Sequence, residues 1–248
     1  MRLTRLLDDL LDFCFPGFCA VCRTSCEGKS PLCETCGERL HVLCRASFCP
    51  LCALPVAQPN APCPACKGAG VRNFERIGRL AVFEEPLRTL LHQFKYHRCW
   101  TLGEILADRL WELPEIQKTL AECDCLVPVP LHPIRQIVRG YNQAEVIARQ
   151  LSHHCGLPIA RPVVRVRDTP TQTHLHSRAQ RTKNLRGAFR LDHPESIEGK
   201  TVAVIDDVMT TGATLQTLAR ALKPAKPATL CAMIIAIADP RGRGFEVI

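Results

Sequence analysis

Runs of apolar residues alternate with helical patterns along most of the chain. The apolar runs predict buried strands at 76–85, 125–130, 161–166, 200–205 and 229–238. Apolar positions at helical spacing predict helices at 86–97, 101–113, 142–154 and 213–222. Because strands and helices alternate in this way, the pattern predicts an α/β fold with a mostly parallel sheet.

The first fifteen residues have a different pattern. Apolar residues recur there at helical spacing, at Leu3, Leu6, Leu7, Leu10 and Leu11. Three acidic residues interrupt the run, which favours an amphipathic helix over a signal peptide. The chain also has no run of about 18 apolar residues, so the sequence predicts no membrane insertion. We therefore expect a cytoplasmic protein.

Cysteines are concentrated in the first part of the chain. Of the 16 cysteines, 11 precede residue 67, and eight of these form four CxxC pairs: Cys19/Cys22, Cys33/Cys36, Cys49/Cys52 and Cys63/Cys66. The last two pairs repeat the first two thirty residues later, so the segment is a tandem duplication. A CxxC turn presents two thiolates to one tetrahedral ion, and four such turns predict two structural Zn²⁺ sites.

Two questions about these cysteines stay open in the sequence. Sequential pairing joins the turns within each repeat and closes the shorter loops, whereas a crossed arrangement joins turns of different repeats. A disulfide or redox function is the alternative to metal binding, and a reducing compartment disfavours it. Residues 1–70 form the predicted N-terminal helix and metal module, and residues 71–248 form the α/β domain.

The segment 202–214 combines features that suit a ribose 5-phosphate. The predicted strand ends at Asp206 and Asp207, on the sheet edge where open α/β proteins bind ligands. A loop of small residues follows and leads into a helix: Thr210, Thr211, Gly212, Ala213 and Thr214. Its backbone N–H groups and hydroxyls favour an anion, and the carboxylates can accept hydrogen bonds from vicinal hydroxyls. An ordinary strand–turn–helix with a capping threonine is the alternative.

This segment resembles the phosphoribosyl diphosphate (PRPP) signature of the type I phosphoribosyltransferases. The matched features are the apolar strand, the acidic pair, two further apolar residues and the Thr/Gly/Thr loop. The resemblance implies that Asp206 and Asp207 hold the ribose hydroxyls and that the loop holds the 5-phosphate. Mg²⁺ would arrive with the diphosphate, because it prefers few protein ligands.

A second loop follows the strand predicted at 125–130. Arg135 and Arg139 could neutralise a diphosphate, and Gly140 and Asn142 could offer donors at the start of a helix. Solvated arginines and a helix-capping Asn142 are the alternatives. The candidates for charge neutralisation during a transfer reaction are Lys95, Arg139 and Arg181.

The net charge of +8 comes partly from one segment. Residues 161–190 contain eight basic residues and a single acid, Asp168. Such a loop could close over a diphosphate. It could instead follow the backbone of a nucleic acid, or be an ordinary solvated surface.

Taken together, the motifs resemble those of the ComF/GntX family. The resemblance extends over the cysteine pairs, LLHQFKYH, VPVPLHPIRQIVRGYNQAE and IDDVMTTGAT. It implies a double zinc ribbon, a phosphoribosyltransferase-like domain that binds PRPP, and a role in DNA uptake or the use of external DNA. Single-stranded DNA and DNA-uptake proteins are the expected partners. Whether the domain catalyses transfer stays open.

The alternative function is that of a nucleotide-salvage phosphoribosyltransferase, which transfers phosphoribosyl from PRPP to a nitrogen acceptor. The aromatic content of 5% predicts no base-stacking cluster that would recognise such an acceptor.

Overall fold

The computed structural model describes residues 17–26, 30–58, 61–168 and 187–238. The helix predicted for the first fifteen residues lies outside these ranges, and so does Arg181 with most of the basic loop. None of the helices in the described ranges has the length and apolar character that a membrane span requires.

The metal module contains little regular structure. Strands β1 (Gly17–Phe18) and β2 (Ser25–Cys26) pair as an antiparallel hairpin, and helix α1 (Glu34–Cys44) follows. In the second repeat, an isolated antiparallel bridge joins Phe48 to Pro55. The sequence did not predict α1, whose apolar residues are sparse.

The α/β domain contains all five strands and all four helices that the apolar pattern predicts. Its elements are β3 (Arg76–Val82), α2 (Leu87–Tyr96), α3 (Trp100–Trp111), α4 (Pro114–Ala121), β4 (Cys125–Pro128), α5 (Pro133–Arg139), α6 (Gln143–Cys155), β5 (Val163–Arg165), β6 (Phe189–Leu191), β7 (Thr201–Met209), α7 (Ala213–Leu222) and β8 (Thr229–Ile237). Helices α4 and α5 and strand β6 were not predicted.

Four of these strands form a parallel sheet in the order β3–β8–β7–β4, which confirms the predicted fold class. Both of its faces are buried. Along β7, Val202 and Val204 enter one core, and Ala203 and Ile205 enter the other. This alternation explains the continuous apolar run, because a strand covered on both faces needs an apolar residue at each position.

Different layers cover the two faces. Helices α2, α3, α4 and α6 supply most of the core on one face. Helix α7, the antiparallel β5–β6 hairpin and the second cysteine repeat supply the core on the other face. The second repeat is therefore part of the domain's packing.

Strand β7 is longer than the sequence predicts. Its pairing with β4 stops at Pro128 and Ile205, whereas its pairing with β8 continues to Met209 and Ile237. The last residues of β7 therefore have a strand neighbour on one side only. Asp206 and Asp207 lie in this part, so the strand does not end at the acidic pair. It carries both carboxylates into the crevice beyond the end of β4.

Candidate functional site

The eight cysteines of the CxxC pairs form two clusters. The first contains Cys19, Cys22, Cys33 and Cys36, and the second contains Cys49, Cys52, Cys63 and Cys66. Within each cluster all four Sγ atoms lie within 4.8 Å of one another. This grouping confirms the sequential pairing of the turns.

The spacing of the sulfur atoms fits a tetrahedral metal ion. Cys22 and Cys33 approach to 3.6 Å in the first cluster, and Cys52 and Cys63 to 3.6 Å in the second. A tetrahedron with Zn–S bonds of about 2.3 Å has S–S edges of about 3.8 Å. Each cluster could therefore hold one zinc ion.

A buried arginine lies beneath the second cluster. Arg79 on β3 is fully buried, and its guanidinium lies 5.3 Å from the ring centroid of Phe48. None of its three guanidinium nitrogens has a hydrogen-bond partner within the described part of the chain. Burial lowers the pKa of Arg79 to about 10, although the nearby thiols of Cys44 and Cys52 act in the opposite direction. The arginine is thus a buried cation close to a set of thiolate donors.

The acidic pair lies at the carboxyl end of the sheet. Nζ of Lys95, at the end of α2, lies 3.1 Å from Oδ2 of Asp207. The backbone N–H of Asp207 donates to Oδ1 of Asp206 at 2.9 Å. Burial, followed by repulsion from Asp207, raises the pKa of Asp206 to about 7. The pair therefore shares one cation and is not fully solvated.

The loop after the acidic pair has the form of an anion site. Gly212 caps α7 with a left-handed φ of 72°, and a Cβ atom there would lie 3.3 Å from Cγ1 of Val71. Glycine is therefore suited to this position for both conformation and space. The hydroxyl of Thr211 is buried, and no described residue forms a hydrogen bond with it. Since buried hydroxyls are normally hydrogen-bonded, the Thr211 hydroxyl fits a donor to an anion held by this loop.

The second predicted loop contains helix α5, which ends at Gly140 with a φ of 86°. Nε of Arg135 lies 2.7 Å from Oδ1 of Asp168, and Arg139 donates to Oε1 of Gln143 at 3.0 Å. The side chain of Asn142 accepts from the N–H of Ala144, which makes it the cap of α6. Its amide also donates to the carbonyl of Val129 at 3.0 Å. Both ends of this amide are therefore engaged within the protein, and a diphosphate role for Asn142 stays a prediction.

Sequence reasoning missed the position of Arg165. This residue lies on β5 and is largely enclosed, and its pKa is lowered first by burial and then by Arg135. The carboxylates of Asp206 and Asp168 act in the opposite direction and raise the pKa of Arg165, so both lie within electrostatic range of its guanidinium. In the sequence Arg165 was only one of eight basic residues of a long segment. Its strand, β5, pairs with β6, which the apolar pattern does not predict. This packing brings Arg165 towards the acidic pair.

The structure thus brings most of the predicted site residues to the carboxyl end of the sheet. The acidic pair and the Thr210–Thr214 loop are continuous in the chain, and Lys95 reaches them from α2. The guanidinium of Arg139 lies 5.3 Å from the ring centroid of Tyr96, the neighbour of Lys95. This end of the sheet offers carboxylates that can accept hydrogen bonds from hydroxyl groups and a loop that can bind a phosphate. Its arginines can neutralise further negative charge on a ligand.

Comparisons with known proteins agree with this arrangement. Residues 138–247 match the family described as phosphoribosyl transferase domain. The DNA utilization protein YhgH of Salmonella typhimurium is 34% identical over 212 residues, which cover 84% of this chain and 91% of that protein. Competence protein F of Haemophilus influenzae is 29% identical over 83% of this chain and 90% of that protein. Competence protein ComFC of Bacillus subtilis is 37% identical over 39% of this chain and 37% of that protein.

Proposed function

We propose that this chain, which belongs to the ComF/GntX family and contains a phosphoribosyltransferase domain, binds PRPP and acts in the uptake or use of external DNA. The DNA role is suggested by the relatives, which are named as DNA utilization and competence proteins. The ligand is suggested by the domain and by the geometry of the sheet edge.

One observation carries the ligand part of the proposal. An anion-binding loop follows directly after two carboxylates, and the loop hydroxyl of Thr211 is buried without a partner in the part of the chain that is described. A ribose 5-phosphate has a phosphate for the loop and vicinal hydroxyls for Asp206 and Asp207. The diphosphate would extend towards Arg135, Arg139 and the backbone at Gly140 and Asn142, with Mg²⁺ bound to its oxygens.

The ion pair at the acidic pair would change on ligand binding. Lys95 pairs with Asp207. A hydroxyl that approaches Asp207 competes for the same carboxylate oxygens, so Lys95 becomes available for the diphosphate. Lys95 therefore acts in this proposal as a cation that moves from the acidic pair to the ligand.

Two zinc ions would have a structural role. Four thiolates close the coordination sphere, which leaves no open position for a substrate. Residues 1–70 would then form the N-terminal helix and double zinc ribbon, and residues 71–248 the phosphoribosyltransferase-like domain. Thiolate ligands suit a reducing compartment, so we expect the protein in the cytoplasm.

A nucleotide-salvage transferase is the second candidate, because the acidic pair and the phosphate loop are both complete. A nitrogen nucleophile would attack C1 of the ribose, the C1–O bond would break, and diphosphate would leave with that bond's electron pair. Positive charge develops on the ribose in such a reaction, so positioning and electrostatics would supply most of the catalysis. Lys95, Arg139 and Arg181 are the candidates for stabilising the departing diphosphate, and Arg181 lies outside the described residues.

Calorimetric titration with PRPP and Mg²⁺ tests the ligand. Asp206→Asn with Asp207→Asn should weaken binding by about 1.5–3 kcal/mol for each charge-assisted hydrogen bond lost. Asp192→Asn is the matched control, since this carboxylate pairs with Arg190 away from the loop. Equal affinity in the double variant and the wild type would reject the site.

A second experiment separates the two functions. The intact protein is titrated with single-stranded DNA, and PRPP turnover is measured with free nucleobases. DNA binding without turnover supports the DNA role. Turnover on a free base together with no DNA binding would make nucleotide salvage the correct function.

A further inference from the structure

The end of α2 and the start of α3 form a surface that the sequence did not reveal. We define the aromatic–basic patch by six residues: His92, Tyr96, His97, Arg98, Trp100 and Arg139. Tyr96 and Trp100 are large aromatic side chains, and they remain 53% and 52% exposed. The two residues are four positions apart at the junction of α2 and α3, so both belong to this one exposed surface.

Three rings of the patch lie close together and are tilted relative to one another. The His92 and Tyr96 ring centroids lie 4.9 Å apart, and those of His92 and His97 lie 5.5 Å apart. The guanidinium of Arg139 lies 5.3 Å from the centroid of Tyr96. The phenol ring thus has an imidazole and a guanidinium as neighbours, and Tyr96 nevertheless remains 53% exposed.

The two arginines supply positive charge that no acid neutralises. Neither Arg98 nor Arg139 forms an ion pair with any residue that the structure describes. Arg98 has a left-handed φ of 57°, and its side chain lies over Gly140, where a Cβ atom would be 3.7 Å from Nε of Arg98. The Arg98 side chain therefore lies against the end of α5, beside Arg139.

The patch is continuous with the proposed PRPP site. Lys95, which pairs with Asp207, directly precedes Tyr96 in α2. Arg139 belongs to the predicted diphosphate loop, and its guanidinium lies close to the ring of Tyr96. A ligand on the patch would therefore lie beside a sugar phosphate held at the sheet edge.

We propose that the aromatic–basic patch binds single-stranded DNA, with a base stacked on the exposed face of Tyr96 and backbone phosphates beside Arg98 and Arg139. This inference rests on the DNA role proposed above. Exposed aromatic rings flanked by cations are the arrangement that single strands require, because their bases are free to stack. The bases of duplex DNA are already stacked on one another, so they cannot stack on the tyrosine.

Fluorescence anisotropy of a labelled oligothymidylate with the full-length zinc-loaded protein tests the patch. Tyr96→Ala should weaken binding by about 5- to 100-fold, the range found when a base–aromatic stack is removed. Tyr96→Phe keeps the ring and should bind like the wild type. Arg98→Gln should lower the slope of log affinity against log salt by roughly 0.7. Arg149→Gln is the matched control, because Arg149 is 70% exposed on α6 and pairs with Glu145.

PRPP titration of the same variants keeps this test separate from that of the ligand site. Tyr96→Ala should bind PRPP as the wild type does, which also shows that it is folded. Loss of DNA binding in Tyr96→Ala and its retention in Tyr96→Phe support the patch even if no variant binds PRPP. Unchanged DNA affinity in Tyr96→Ala overturns it. An equal loss of DNA affinity in Arg149→Gln and Arg98→Gln also overturns it. Displacement of the oligothymidylate by a free nucleobase overturns it as well, because the patch would then be a nucleobase site.

Discussion

The two cysteine repeats have the same spacing but different surroundings. In the second repeat, Cys49, Cys52 and Cys63 belong to a core that also contains residues of β7, β8 and α7. In the first repeat, Cys19, Cys26 and Cys36 form a small cluster of their own, and Cys22 is exposed. The cysteines of the second repeat are thus part of the domain core, whereas those of the first form a separate cluster, and the described part of the first repeat contributes only Ala20 and Leu40 to the buried core of the helical face.

Hydrogen bonds reflect the same difference. In the second repeat, the carbonyl of Pro50 accepts a hydrogen bond from the N–H of Ile77 at 2.7 Å. The carbonyl of Leu51 accepts one from the N–H of Val71 at 2.9 Å. In the first repeat, the carbonyl of Ala20 accepts a hydrogen bond from the side-chain amide of Gln93. We infer that a metal site stabilises mainly the part of the protein that packs against it. We therefore expect loss of the two metal ions to have unequal effects.

The largest effect is expected from breaking the second cluster. Cys52→Ser should lower the free energy of unfolding of the whole protein by at least about 5 kcal/mol, because metal binding and core packing are lost together. Cys22→Ser should remove one zinc equivalent and leave PRPP binding unchanged. Metal analysis and thermal unfolding measure both variants. Equal unfolding temperatures of the two variants would contradict the comparison.

Removal of the buried cation should affect only the second cluster. Four thiolates around Zn²⁺ leave two net negative charges, and Arg79 is the buried positive charge nearby. Arg79→Met should weaken zinc binding there by about 10- to 100-fold, as is usual when a group that supports metal ligands is lost. Arg23→Met, at an exposed position of the first repeat, is the control. Chelator competition provides the readout, and undiminished affinity in Arg79→Met would show that the cluster does not need this charge.

The order of metal release should follow exposure. As a chelator is added, the first zinc equivalent should leave at about tenfold lower chelator concentration than the second, since exposed ligands are replaced more easily. Circular dichroism should then change little until the second equivalent leaves. Simultaneous release of both ions would mean that the repeats form one cooperative unit.

The smallest effect is expected at the attachment of the first repeat. Gln93→Ala removes the bond to the carbonyl of Ala20 and should destabilise the protein by about 1 kcal/mol. Gln117→Ala removes a comparable amide bond, to the carbonyl of Trp111, on the other side of the helical layer and serves as the control. The two variants are compared by hydrogen exchange of residues 17–26. Faster exchange should appear in Gln93→Ala only.

The pattern of the sequence predicted the parts of this molecule that bury apolar residues. Most strand and helix positions in the sheet layers followed from it, except those of the short elements α4 and β6, and so did the cysteine clusters. Helix α5 did not, because none of its residues is buried and it therefore has no core-facing stripe. The reach of β7 beyond Ile205 also escaped prediction, since one-sided pairing allows polar residues in a strand.

The candidate site shows a similar division. The acidic pair and the loop were readable because they are continuous in the chain. Lys95 could be named as a candidate, but its ion pair with Asp207 depends on the packing of α2. The aromatic–basic patch was not foreseen, because Tyr96 and Arg139 are distant in sequence and meet only where α2 and α5 end. Long-range contacts of this kind have no local signature.

Strand β3 is one of the two outer strands of the four-stranded sheet, and its position links the supply of metal to aggregation of the protein. An unprotected edge strand can pair with strands of other molecules, which is a common start of aggregation. Here the N–H of Ile77 donates to the carbonyl of Pro50, within the first CxxC turn of the second repeat. A cell short of zinc would leave this edge open, and newly made chains would tend to aggregate. Metal starvation would therefore reduce the amount of usable protein before it altered the ligand site of any surviving molecule.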